Sequence, residues 1–515
     1  MGAAIAVCIC LCSLLQSTAA FNISNAFSSS AVLQRDSPVV LWGAADSRAT
    51  TVTTSAWLDG KSYAGDTDAN LIWRVTLPAH PAWAKPFNLT IFSSDGGQIA
   101  LDDLLVGDVI LCSGQSNQGL PVNVLWNVSD VLAQAATLPP TLRLFQASGN
   151  QMSAVPYTYF DPREGFVPWQ HVLAGGNKTL LDFGAACYIM GVTVLTEFVG
   201  GAVPIGLLHS AHGGTSLQAW QSPASVDTCG DTPNSWNSSV LYNSNLAPLI
   251  VGPMAIAGVY WYQGEEDTGI GWDTYYRSDW YACALRSFIL DLRTLFNRPT
   301  LPFIVQQLHA WVHAGDTGLA VMRQAQTKAL SLPNVGLAVA FDGGDPAAAM
   351  AGNPGGTVHP HCKYIPGRRA AATWAGMFLG LPVPFQCPLY ADATAITKAS
   401  PAGTHLAVTI SFASGTTGSG LVLRGWEPDS NSSHCPTERH INVTSCDWFA
   451  IQASNGLWYN ASVAVGADGH TLVLQADVPK GEFAMATRNG FSDWPVVTAY
   501  TAEGLPVLTW LKSIF

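Results

Sequence analysis

The chain has 515 residues, of which 48% are hydrophobic and 11% charged, with a formal net charge of −12. This mix can bury a large core and excludes a disordered chain, which needs low hydrophobicity and high charge. An acidic balance without any Lys/Arg cluster excludes the basic footprint needed to hold nucleic acid or an anionic membrane surface. At ~100–200 residues per domain, the length predicts two to four packed units.

In chain order, residues 1–20 (MGAAIAVCICLCSLLQSTAA) read as a secretory signal peptide. An apolar run from Ala3 to Leu15 precedes small residues, with Thr18 and Ala20 at the positions a signal peptidase prefers. The run is shorter than the ~20 residues a transmembrane helix needs, and no later stretch is long and apolar enough to span. Export agrees with eight N-x-S/T sequons, at Asn22, Asn88, Asn127, Asn177, Asn237, Asn431, Asn442 and Asn460. It also agrees with the eight cysteines left once the signal is removed, an even number suited to disulfides. Cys435 and Cys446 stand out as a local pair. The expected location is the secretory pathway, ending outside the cell or in the lysosome.

Residues 21–105 predict a β-rich accessory domain, from short runs such as SPVVLWG, LIWRVTLP and FNLTIFSS set between Gly, Asp, Ser and Pro clusters. Over 106–388 the texture changes. Apolar runs (VGDVILCSG, VPIGLLHS, AIAGVYWYQG, PFIVQQL, VGLAVAFDG) alternate with helix-like segments such as CYIMGVTVLTEFVGG and GLAVMRQAQTKALSL. Near-continuous apolar strands with intervening helices mark an α/β unit whose parallel sheet is covered on both faces, with ligands at the carboxyl ends of its strands. Residues 389–515 return to strand-like runs and predict a C-terminal β-rich region, whose closing stretch is free to fold back onto the rest.

The polar motifs follow those strand candidates. GDVILCSGQSN delivers Ser116 from a buried strand to the sheet edge, where a nucleophile needs exposure and a nearby backbone N–H; the alternative is a serine that only caps a helix. LLHSAHGGTS places Gly213 and Gly214 where a bare backbone can aim an N–H at an oxyanion. YWYQGEED places Gln263 where its amide can do the same, while Glu265, Glu266 and Asp267 suit a helix N-terminus. GTVHPHCK supplies His359 as the base for Ser116. Upstream, AFDGGDP offers Asp342 and Asp345 as orienting acids. His361 makes a His-x-His pair with His359, but no third ligand converges, so no metal site is expected.

Taken together, these motifs resemble the sialate O-acetylesterases, members of the SGNH (GDSL-type) hydrolases. AFSSSAVLQRDSPVVLWGAA, GDVILCSGQSN, PIGLLHSAHGGTSLQAW, WYQGEED, VHPHCK and SDWPVVTAYTAEGLP follow in the family's order over most of the chain. The resemblance implies a flavodoxin-like α/β/α core with β-rich accessory parts. It implies a Ser116–His359 acyl-enzyme mechanism with Gly213, Gly214 and Gln263 around the oxyanion, and no metal or organic cofactor. The implied partner is an O-acetylated sialic acid or another acetylated glycan; the oligomeric state is not legible. Acetylxylan-type esterase and inactive sugar-binding relative are the competing readings. The chain departs from the family pattern at Gln118 (usually Met) and His212 (usually Trp), both expected near the pocket. It departs again at Gly356, where many relatives carry an aspartate three residues before the histidine, which leaves the acid as Asp342, Asp345 or none. Arg368 and Arg369 open an apparent helix and are expected to face solvent.

Overall fold

The computed structural model describes residues 21–147, 152–163, 165–230, 237–268, 274–311, 317–345, 356–401, 403–424, 449–495 and 497–514. Residues 1–20, Cys435, Cys446, Asn431 and Asn442, on which several sequence expectations fall, lie outside these.

The molecule is organised by one long strand, β1 (Gln98–Gly114). Its first half alternates exposed and buried residues, as suits an antiparallel edge, and its second half, Leu104 onward, is buried throughout. The first half pairs with Trp83–Ser93 in the N-terminal β-structure; the second is the middle strand of the parallel sheet. The boundary expected at 105/106 therefore falls inside a single strand, and one continuous core joins Val32, Leu41 and Trp73 to Ile110, Leu207 and Trp261. Asp108, buried in this strand, is held by Arg35 through Nε (2.8 Å) and Nη2 (3.1 Å), which offsets the cost of burying the carboxylate.

The other strands of this sheet are β2 (Leu142–Gln146), β3 (Val167–His171), β4 (Ile205–Ala211), β5 (Gly258–Tyr262), β6 (Phe303–Gln306) and β7 (Val335–Ala338). They lie in the order β7-β6-β5-β1-β4-β2-β3, all parallel except the β2/β3 edge pair. Without that edge pair the order is the 2-1-3-4-5 of a flavodoxin-like, doubly wound sheet, with β1 beside the point where the chain reverses direction across the sheet. Strands β4 to β7 are buried at every residue, which is why their sequences read as apolar runs and not as alternations.

Helices cover both faces. Ser116–Gly119 (α1) and Val128–Ala135 (α2) follow β1. Ala185–Thr193 (α3) and Tyr364–Phe378 (α6) lie on one face, and Thr274–Leu295 (α4) and Gly318–Thr327 (α5) belong to the layer opposite. Alternation along β5 fixes the two sides: Gly258 lies under Trp374 of α6, whereas Trp261 points to Phe288 of α4 with ring centroids 4.6 Å apart. Cys112 of β1 is bonded to Cys187 of α3, and Cys229 to Cys283 of α4. Among the described residues Cys362 and Cys387 are free. Two disulfides suit an oxidising compartment. No described helix is long and apolar enough to cross a membrane.

The C-terminal region forms two antiparallel four-stranded sheets around Trp510, whose ring meets Tyr390, Phe412 and Phe449. Gly403–Phe412 shows the strict alternation of a half-buried strand. Its closing segment does fold back: Asp493 Oδ1 accepts the Leu319 N–H (2.8 Å), and the buried Arg323 donates to the carbonyls of Ser492 and Asp493. Trp494 packs against Gly344, beside Asp345.

Candidate active site

Strands β1, β4 and β5 end level. Gly114 pairs with Ala211 on one side and Tyr262 on the other, so the segments after all three strands meet at one edge. Gly114 has φ +145°, and a Cβ there would sit 2.0 Å from the Tyr262 carbonyl oxygen, so only glycine fits the turn. Gln115 donates its N–H to that same carbonyl (3.0 Å), and Ser116 opens α1. His359 arrives from the loop after β7. Its Nε2 lies 2.9 Å from Ser116 Oγ, within reach for a direct proton transfer, and both residues are half-buried.

Gly213 lies against the serine: a Cβ added there would meet Ser116 Cβ at 3.3 Å. Gly214, with φ +65°, has open space around it. Gln263 is turned elsewhere. It is fully buried, and its Nε2 donates to the Thr215 carbonyl (3.0 Å) and to Asp267 Oδ2 (2.6 Å), while its Oε1 accepts the Tyr281 hydroxyl (3.1 Å). Both amide protons are committed, so the expected oxyanion donor is instead a strut beneath the β5 edge.

The two aspartates also separate. Both oxygens of Asp342 accept from Arg369 (2.5 and 2.7 Å), which takes Asp342 out of the orienting role and turns Arg369 inward, not to solvent as expected. Arg368 does face solvent, paired with Glu197. Asp345 belongs to the histidine's surroundings: its Oδ2 accepts the His361 backbone N–H (2.9 Å) and the indole N–H of Trp126 (3.0 Å). Trp126 packs on the His361 ring with centroids 4.6 Å apart and is still 57% exposed. Among the described residues no group of three or more His, Cys, Asp or Glu is placed to hold a metal ion.

Asn117 and Lys363 were not singled out by the sequence, and Glu265 was read there only as a helix-end carboxylate. Asn117, next to the serine, is fully buried; its Nδ2 donates to Glu265 Oε1 (2.6 Å) and to the Val358 carbonyl (2.9 Å), and its Oδ1 accepts from Lys363 Nζ (2.6 Å). The acidic run after β5 does open a short 3-10 helix, Glu266–Thr268, but Glu265 and Asp267 are also buried in polar networks, and Asp267 accepts the Leu217 N–H. Burial, opposed by the Asn117 hydrogen bond, pushes Glu265 up to about 7. Burial, opposed by the attraction of Glu265, pulls Lys363 down to about 7. Each shift costs stability near neutrality. Above its ordinary 4.5 the unfolded Glu265 has released a proton that the native group still holds up to about 7, so stability falls across that interval. Below its ordinary 10.5 the unfolded Lys363 keeps a proton that the native group has lost above about 7, so stability is recovered only as pH rises toward 10.5. Perturbed groups retained at such a cost cluster at functional sites.

Gln118 does not line the pocket either. It is fully buried on the inner side of α1, where Nε2 donates to the Tyr260 carbonyl (3.3 Å) and its backbone carbonyl faces His209 Nε2 (3.1 Å). His212 does stand at the site edge, its N–H bonded to the Gly114 carbonyl.

Residues 106–345 match the profile of a family described as carbohydrate esterase, sialic acid-specific acetylesterase. Just under half of the chain is thus similar to this family. The matched segment contains Ser116, Gly213, Gln263 and Asp345 and ends before His359. The chain is 27% identical to mouse sialate O-acetylesterase over 404 residues, covering 67% of this chain and 71% of that one. It is 28% identical to human sialate O-acetylesterase over 297 residues, covering 52% of each, so it spans about half the length of that relative. A solved carbohydrate acetylesterase from Xanthomonas citri superposes over 96% of this chain and all of that one, with a TM-score of 0.77 and 26% identity.

Proposed function

We propose that the chain is a carbohydrate O-acetylesterase whose leading substrate is an O-acetylated sialic acid, hydrolysed through an acetyl-enzyme on Ser116 and acting outside the cell or in the lysosome. The observation that carries the reading is the 2.9 Å approach of His359 Nε2 to Ser116 Oγ at the carboxyl edge of the parallel sheet. Ser116 Oγ attacks the acetyl carbonyl while its proton passes to His359 Nε2. The tetrahedral oxyanion takes hydrogen bonds from backbone N–H groups at Ser116 and Gly213. Collapse breaks the ester bond, and His359 returns the proton to the departing sugar hydroxyl. Water then repeats the sequence on the acetyl-enzyme and releases acetate. Asp345 is the candidate orienting acid, since it holds the histidine loop through His361 N–H.

The test is acetate release by the secreted protein from 9-O-acetylated sialic acid and from acetylated xylan, with Ser116→Ala as the blank. Serine-dependent release from the sialate supports the whole reading. Release from xylan alone keeps the chemistry and replaces the substrate; a folded protein that binds glycan and releases nothing is an inactive relative.

Trp126 supplies the sugar-facing surface in this reading, because an exposed indole tied down by its N–H presents a fixed apolar face. Trp126→Ala is expected to raise KM for the sugar ester about 3–10-fold, the worth of one aromatic contact of roughly 0.5–1.5 kcal/mol. Ethyl acetate, which has no ring to stack, serves as the control. Trp126→Phe keeps the ring and loses the N–H, so its KM stays near the parent value; equal losses in both variants would assign the effect to Asp345 instead.

A further inference from the structure

We propose that Lys363, acting through the Asn117 side chain, is a positioning residue that sets the distance between Ser116 and His359. This rests on the serine-esterase reading above. Ser116 sits on α1 after β1, and His359 sits on a loop after β7, so the two come from strands three positions apart in the sheet. Their mutual distance is not fixed by strand pairing. It must be set by something that ties one loop to the other.

Asn117 makes that tie. It directly follows the nucleophile, and its amide donates to the carbonyl of Val358, which directly precedes the histidine (2.9 Å). One hydrogen bond between the neighbours of the two reacting residues closes a small ring whose remaining side is the Ser116–His359 contact itself. The tie works only if the Asn117 amide cannot rotate, because a flipped amide would present its oxygen to the Val358 carbonyl and be repelled. Two further bonds prevent the flip: Nδ2 donates to Glu265 Oε1 (2.6 Å), and Oδ1 accepts from Lys363 Nζ (2.6 Å). Lys363 Nζ donates to Oδ1 and Glu265 Oε1 accepts from Nδ2, so this pair of partners reads the amide in a single orientation. Lys363 is also anchored at its own backbone, as the residue preceding α6, where its carbonyl accepts the Gly367 N–H. It therefore registers the amide against the first turn of a long helix. Its ammonium lies 5.6 Å over the Tyr262 ring at the end of β5.

A lysine buried without any exposed surface is expensive to keep, and a stable core would replace it with an apolar side chain. Its retention beside the nucleophile is accounted for by the orientation it imposes. Reacting groups misplaced by about 1 Å lose on the order of 10²-fold in rate, so a loosened tie shows in kcat and not in substrate affinity.

The experiment uses the full-length secreted protein and three variants: Lys363→Met, which keeps length and removes the donor; Asn117→Ala; and the double Lys363→Met/Asn117→Ala. The readouts are the rate of Ser116 labelling by a fluorophosphonate, kcat and KM for 4-nitrophenyl acetate, and Tm. Lys363→Met is expected to lower both labelling rate and kcat about 10–100-fold with KM within about 2-fold of wild type. Asn117→Ala is expected to match it, and the double variant to fall no further, because both act through one tie. Where Lys363→Met does not fold, Lys363→Met/Glu265→Gln removes both buried charges together and takes its place. A folded variant with unchanged labelling and kcat, or losses that multiply in the double, overturns the inference. Wild type that fails to label at all overturns the serine-esterase reading instead.

Discussion

Ser116→Ala is expected to lower kcat for acetyl-ester hydrolysis by on the order of 10⁴–10⁶, with little change in Tm. The serine is half-buried at a turn whose geometry is set by Gly114 and Gln115, so removing its hydroxyl leaves the packing of α1 intact. His359→Ala is expected to cost a comparable factor, since the hydroxyl without a base within 2.9 Å stays a weak nucleophile. The decisive measurement is the double variant. If the two residues act as one unit, Ser116→Ala/His359→Ala loses no more than either single change; losses that multiply would mean that His359 acts on something other than the serine proton. A residual rate well above that of water is expected in all three, because the backbone donors around the oxyanion and the sugar contacts remain.

The pattern that led to Ser116 and His359 was legible because it depends on local chain order. An apolar strand followed by Gly-Gln-Ser must place the serine at a sheet edge, and the parallel order of the strands brings the later motifs to that same edge. The fold class was legible for a related reason: strands buried on both faces leave no polar alternation, so β4 to β7 could only belong to a covered sheet. Gln263 was legible in position but not in role. Its amide is consumed by Thr215, Asp267 and Tyr281, and the first and last of these come from other elements whose approach no spacing reveals. Glu265 and Lys363 were hidden in the same way, since each resembles a solvated charge until the other and Asn117 are brought beside it. A cheap signal did exist for Lys363: it stands between His359 and the start of α6 in a chain with few charges, and a charge that close to a candidate base can be weighed as a partner. Composition changes at 105/106 because β1 passes there from an exposed edge to the core, and that change of environment occurs within one strand.

Removing the Cys112–Cys187 bond by the double change Cys112→Ala/Cys187→Ala is expected to lower stability by about 4 kcal/mol. Loop-closure entropy for a 75-residue separation gives roughly 4.5 kcal/mol, and the packing of two buried small side chains changes little. A fall in Tm of about 4–5 °C should follow for a chain of this length, read by calorimetry on the oxidised protein and the variant. The Cys229–Cys283 bond closes 54 residues, which by the same relation stabilises less by only about 0.3 kcal/mol. Chain entropy alone thus predicts nearly equal losses for the two bonds, and location predicts unequal consequences. Cys112 lies on β1 four residues before Ser116 and is bonded to α3, the helix that packs on α6, which Lys363 directly precedes. Cys283 lies on α4, in the layer across the sheet. Loss of Cys112–Cys187 should therefore lower kcat as well as Tm at temperatures where the variant is still folded, whereas loss of Cys229–Cys283 should lower Tm alone. Equal effects on kcat would show that the sheet edge around Ser116 is held by the core itself, with the cystine acting only on the unfolded chain.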